Sequence, residues 1–205
     1  MRYAVIAVWL ALCPVASAVA AVNVSIGINI PTYPRLVPVP GYPVYYAPGV
    51  DSNYFFYEGL YWDFDGDQWY SSPWYNGPWH GVAPELVPLF LLRVPVRYYR
   101  HPPAFFRGWR ADVAPRWGDH WGRDWEQRRV GWDHWDHRSV PRAAPLPAYQ
   151  RQYSGSRYPQ EQRQQELHVQ NYRYQARDAD ARAHAEQHYQ PRESGERRGG
   201  QERDH

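Results

Sequence analysis

Tyr54-Phe55-Phe56-Tyr57-Glu58-Gly59-Leu60-Tyr61-Trp62-Asp63-Phe64-Asp65-Gly66-Asp67-Gln68-Trp69-Tyr70, running on through Ser71-Ser72-Pro73 to Trp74-Tyr75-Asn76-Gly77-Pro78-Trp79, decides the fold class. Twelve of these 26 residues are aromatic, and Glu58-Gly59, Asp65-Gly66 and Asn76-Gly77 punctuate them. Acidic-Gly and Asn-Gly pairs supply the positive φ angles of tight hairpin turns, so the runs between them predict short antiparallel strands, a β-meander. Leu60, Trp62 and Phe64 fall on one face and Tyr61 and Asp63 on the other. The expectation is that one face is buried and the other stays at the surface, where Tyr and Trp are tolerated because each joins an apolar body to a polar tip.

On the amino-terminal side, Val22, Val24, Ile26, Ile28 and Ile30 alternate with polar or small residues and predict a first strand. Pro31, Pro34, Pro38, Pro40, Pro43 and Pro48 then interrupt an apolar segment. Proline cannot donate to a sheet ladder, so this segment reads as an edge strand or a polyproline-like strap. Further upstream, Met1-Arg2, the apolar run Tyr3 to Leu12 and the small residues Ala16 to Ala20 have the layout of a secretory signal peptide. Export to the periplasm or the extracellular space follows from that reading, with residues 1–20 removed. Cys13, the single cysteine, falls inside the discarded run. Disulfides and thiolate chemistry are then excluded from the mature chain.

Trp74-Tyr75-Asn76-Gly77-Pro78-Trp79 fits the pattern Trp-x-x-Gly-x-Trp, and Phe56 to Tyr61 fits it with other aromatics in the Trp places. The chain thus resembles the exported bacterial proteins that carry WXXGXW-type repeats. The match covers about 25 residues, and the middle turn departs from it, since Trp62 stands four residues before Gly66. What the resemblance implies is an exported aromatic β-repeat; it implies no reaction.

On the carboxyl-terminal side, Pro84 and Pro88 each precede about one apolar turn of helix. Trp117, Trp121 and Trp125 then recur every four residues, with Asp119–Arg123 and Asp124–Arg128 one turn apart, which predicts an amphipathic helix docked on the sheet by its Trp stripe. Beyond Arg138, Gln, Arg, Pro and Ala replace the aliphatic residues, a composition that predicts disorder. The fold class expected is therefore mainly β, a small antiparallel aromatic-rich meander with short helical segments and a disordered C-terminal tail. Its parts are residues 1–20 (signal peptide), 22–100 (β domain), 101–137 (Arg/Trp-rich accessory segment) and 138–205 (tail).

Charge divides along the same line. Residues 22–92 hold one Arg against six acids, and residues 93–205 hold 21 Arg against 15 acids. Arg interleaved with aromatic residues suits an anionic surface, and export argues against nucleic acid as that partner. Asp63, Asp65 and Asp67 resemble a Ca²⁺ loop, but Gln68 and Trp74 stand where an EF-hand needs Gly and Glu. His120, His134 and His137 with their neighbouring Asp residues could hold Zn²⁺ or Cu²⁺, but His134 and His137 are a poor pair unless the segment is helical, and no other partner is evident. No catalytic residue, metal site or cofactor is assigned.

The expected function is a non-catalytic exported cell-envelope protein. Trp62, Trp69, Trp74 and Trp79 would stack on a cell-wall or extracellular polysaccharide, with Asp67 taking the hydroxyls. That reading requires exposed rings; buried rings would be core. The alternatives are a structural, self-associating envelope component and, third, a hydrolase using the carboxylates near residues 58–67. Peripheral contact with a membrane surface is a further partner the Trp-bearing segment would suit.

Overall fold

The computed structural model describes residues 27–189. The segment 1–20 predicted to be a signal peptide, with Cys13, and the part of the first predicted strand before Gly27 lie outside the described residues. Six antiparallel strands follow one another in chain order across a single sheet. They are β1 (Val37–Pro38), β2 (Tyr45–Tyr46), β3 (Asn53–Tyr57), β4 (Leu60–Asp65), β5 (Gln68–Ser72) and β6 (His80–Val82). Among the described residues 33% are helical and 14% lie in strands, so the fold is an antiparallel sheet with many short helices, and the expectation of a mainly β fold is not confirmed.

The central meander forms where the aromatic pattern places it. Tyr57 pairs with Leu60 across Glu58-Gly59, whose φ angles are 50° and 88°. Asp65 pairs with Gln68 across Gly66-Asp67, at 54° and 65°. Two consecutive positive φ values give the turn the twist that antiparallel strands carry, and Gly meets that demand at least cost. Asn76-Gly77 forms no such hairpin. It sits in the longer loop 73–79, where the Asn76 side chain accepts the Ile30 amide at 2.6 Å and the Asn76 amide donates to the Tyr158 hydroxyl at 3.1 Å. The proline-rich segment supplies the outer hairpin β1–β2, consistent with an edge position. Residues 27–30 form no strand, although Ile30 is buried.

Both faces of the sheet are covered. Phe55, Tyr57, Leu60, Trp62, Phe64 and Trp69 point into one core. Tyr54, Phe56 and Tyr61 point into the other, together with Tyr75 and Trp79. The expectation of one wet face is thus overturned, and the meander's near-continuous apolar runs are those of strands buried on both sides. Over the first face lie α1 (Leu89–Leu92), α2 (Trp117–Trp121) and α3 (Arg123–Arg128). The predicted Trp stripe does dock: Trp117 donates from Nε1 to the Leu92 carbonyl at 2.9 Å and packs edge-on against Phe64 at 5.3 Å. Gly122, with φ of 86°, breaks the expected single helix in two. Consequently Asp119 pairs with Arg116, and Arg128 with Glu85, in place of the one-turn pairs.

The largest departure lies beyond Arg138. Two 3-10 turns (Ala148–Gln152 and Gly155–Arg157), α4 (Glu161–Asn171) and α5 (Ala179–Tyr189) pack on the sheet and its loops. The tail predicted to be disordered from residue 138 is folded to Tyr189; its remainder lies outside the described residues. The segment is buried through polar side chains. Gln150, fully buried, accepts the Tyr61 hydroxyl at 3.0 Å and donates to the Pro73 carbonyl at 2.9 Å. Gln164 donates to the carbonyls of Gly77 and Pro159. A buried amide whose donors and acceptor are all used escapes the desolvation penalty that composition alone assigns to it.

Candidate functional site

The four Trp residues expected to face a polysaccharide are all core residues. Trp62 and Trp74 are 0% exposed, Trp69 1% and Trp79 4%. Trp62 donates from Nε1 to the Tyr57 carbonyl at 3.1 Å. Trp69 lies among Phe55, Phe64 and Trp117, while Trp74 meets Tyr149, Tyr153 and Tyr158 at 5.6 to 5.8 Å. Trp79 stands edge-on to Tyr54. Stacking needs a free ring face, and none of these rings offers one. Asp67 is exposed, but it holds His120, Nε2 to Oδ1 at 2.7 Å, and His120 lies flat on Phe105 at 3.6 Å.

The carboxylates of residues 58–67 are engaged separately. Glu58 is buried and accepts the Arg177 amide, the Tyr174 hydroxyl at 2.7 Å and the Arg177 guanidinium at 3.1 Å. It ties the first hairpin turn to the start of α5. Asp63 is fully buried, and one of its oxygens accepts Ser52 Oγ at 2.5 Å. Burial drives its pKa well above the ordinary carboxylate value, against the lowering effect of that hydrogen bond. Asp65 and Asp67 stand in solvent. His134 is paired with Asp133 at 2.7 Å, and His137 rests on Trp135 at 4.1 Å. Among the described residues no group of three His, Asp or Glu side chains is placed to hold a metal ion.

A different place gathers partly exposed aromatic rings and polar groups. A cleft of about 470 Å³ opens between residues 112–119 and 132–137, lined among others by Tyr42, Arg116, Asp119, Glu126, Asp133 and Trp135. Trp135 and Tyr42 are partly exposed and tilt against each other at 5.2 Å. Phe90 backs Trp135 edge-on, also at 5.2 Å.

Arg93 fixes this wall. It is 7% exposed, and its guanidinium donates to the carbonyls of Trp132 and, at 3.1 Å, His134, while lying 5.9 Å from the Trp135 ring centre. Burial lowers its pKa from the ordinary guanidinium value, with Tyr57 and Asp133 acting in the opposite sense. The loop carrying Trp135 is thus held by a buried cation through its own carbonyls, an arrangement that presets the ring. On the opposite wall, a Cβ at Gly118 would lie 2.8 Å from Glu126 Oε1, so the glycine is what lets that carboxylate approach α2. Asp112 is held by a two-point hydrogen bond from Arg110, which lowers its pKa.

Read from the sequence, His134 and His137 are a poor metal pair, and neither Arg93 nor Trp135 carries a role. The 41 residues between Arg93 and Trp135 carry no pattern that joins them. No protein family, curated protein or solved structure matches the chain. Among the described residues no helix is long and apolar enough to cross a membrane.

Proposed function

We propose that the protein is a non-catalytic exported component of the cell envelope, periplasmic or extracellular, that binds a glycan or related polymer through the cleft at Trp135. The meander rings serve as core. The observation that carries this reading is the partly exposed Trp135, preset by Arg93 and flanked in one cleft by Asp119, Glu126 and Asp133. A flat apolar face takes the C–H face of a sugar ring, and nearby carboxylates and guanidinium groups take its hydroxyls. Export rests on the layout of residues 1–20 and is tested by sequencing the amino terminus of the mature protein.

Binding is tested by titrating envelope and matrix polysaccharides against the mature protein while following Trp fluorescence. Trp135→Ala is expected to weaken binding about ten-fold or more with the circular dichroism spectrum unchanged. Trp74→Ala removes a core ring and should lower stability, while any fraction that stays folded keeps its binding. Binding that is absent for every polymer, or that Trp135→Ala leaves intact, overturns the reading. Concentration-dependent sedimentation in that case favours a self-associating structural protein.

A further inference from the structure

The two C-terminal helices are seated by imidazoles. His188 on α5 meets Ser71 Oγ of β5 at 3.2 Å through Nε2, and its ring stacks on that of His80 of β6 at 4.0 Å. One turn earlier, His184 is buried, contacts the Leu86 carbonyl at 3.0 Å and stands edge-on to Trp62 at 5.5 Å. On α4, His168 meets the Tyr149 hydroxyl at 3.3 Å through Nδ1 and packs against Tyr172 and Tyr189. None of His168, His184 and His188 has a carboxylate among its hydrogen-bond partners within the described residues.

We propose that α5 is an acid-sensitive lid: it is latched by neutral His188 and His168, and their protonation frees its C-terminal half and bares Trp62 and the first core face. A charge placed in the His188–His80 stack, or an imidazolium enclosed by tyrosine rings, costs more than the single hydroxyl partner returns. Charged groups set where the lid gives way. At its N-terminal end Asp180 is paired with Arg129 at 3.1 Å, Arg177 with Glu58 at 3.1 Å, and Asp178 accepts the Tyr57 hydroxyl at 3.2 Å. Arg182 donates to the carbonyls of Ala176 and Arg177. At the other end, among the described residues, the exposed Glu161 of α4 lines the same cavity of about 520 Å³ as His188, and Glu186 on α5 is exposed. Beyond these, Gln165 holds the Tyr189 carbonyl at 2.7 Å. Opening therefore starts at Tyr189 and stops at the ion-paired end.

The sign is fixed by burial. His168 is held at about 4, and His188, shielded and beside two other imidazoles, lies well below the usual value of 6.5. A depressed folded value means that the seating is fully present above about pH 6.5 and weakens as pH falls toward the folded value, by up to about ten-fold per pH unit per histidine. Hydrogen exchange of the full mature chain at about pH 7 and about pH 5, corrected for the intrinsic rate, tests this. Residues 184–189 are expected to lose protection at least about ten-fold while 179–183 and 53–72 keep theirs, with a red shift of Trp emission. His188→Gln keeps a hydrogen bond to Ser71 without titrating, and His188→Phe keeps the stacking; either one that folds should blunt the response. Equal protection at both pH values, loss spread over the strands, or an undiminished response in the folded variants overturns the lid.

Discussion

Two covers lie against one sheet, and they are built from opposite chemistry. The Trp-bearing cover, α2 and α3, docks by apolar rings: Trp117 meets Phe64 at 5.3 Å and Trp69 at 6.2 Å on the sheet. The Gln/His-bearing cover, residues 148–189, docks by amides, imidazoles and tyrosine hydroxyls that reach backbone carbonyls. Ring burial gains free energy roughly in proportion to area and is indifferent to register. Polar docking contributes little net energy per bond, yet it is unforgiving, because every group left unpaired is penalised. The first cover thus supplies stability, and the second supplies position and a response to pH.

Trp117→Ala is the sharpest test of the apolar side. The residue is 0% exposed and touches Phe64, Trp69, Tyr99 and Phe106. Its loss is expected to cost about 3–5 kcal/mol, read from the urea midpoint, with no change in the pH dependence of stability. A cost below about 1 kcal/mol would mean that this cover is an appendage and that the sheet is held from elsewhere.

Gln150→Ala tests the polar side with a smaller effect. It strands the Tyr61 hydroxyl and the Pro73 carbonyl inside the protein and should cost about 2 kcal/mol. Proteolysis should then begin within residues 139–189 while a fragment through the strands persists. If Gln150→Ala is silent, the Gln-bearing segment is only laid on the surface, and the contrast between the covers collapses into one of docked and undocked.

The same contrast explains what could be read from the sequence. Glu58-Gly59 with the alternation of Leu60, Trp62 and Phe64 reports the central meander faithfully, because turn geometry and side-chain period are local properties. The four-residue recurrence of Trp117, Trp121 and Trp125 likewise points to docking, because a ring stripe needs an apolar surface to cover it. Asn76-Gly77 misleads because its partners, Ile30 and Tyr158, are 46 and 82 residues away. Residues 148–189 are illegible for a stronger reason: Gln150, Gln164 and His184 are buriable only when particular carbonyls stand opposite them, and composition carries no record of that. With this cover unseen, one sheet face looked free, and Trp62, Trp69, Trp74 and Trp79 looked available to a ligand. The Trp135 cleft stayed hidden because the cation that presets it is distant in the chain.

Asp63→Asn carries the smallest effect and separates the sheet from its polar cover by sign. Asp63 is fully buried, accepts Ser52 Oγ with one oxygen and leaves the other without a partner among the described residues. Its folded pKa is raised by burial above the unfolded value near 3.8, so the fold favours the protonated form. The contribution is therefore present below the unfolded value and is lost as pH rises through the folded one, opposite in direction to the histidines of α4 and α5. Asparagine is the uncharged replacement of the same shape, with an oxygen still able to accept from Ser52. Relative to the native protein it should gain about 1 kcal/mol at about pH 7 and nothing at about pH 3, read as paired urea midpoints at each pH. Because each comparison is made at one pH, opening of α5 in acid cancels between the two proteins. A loss at neutral pH would show that ionised Asp63 is stabilised inside the sheet, and the two regions would then share one dependence on pH in place of two opposed ones.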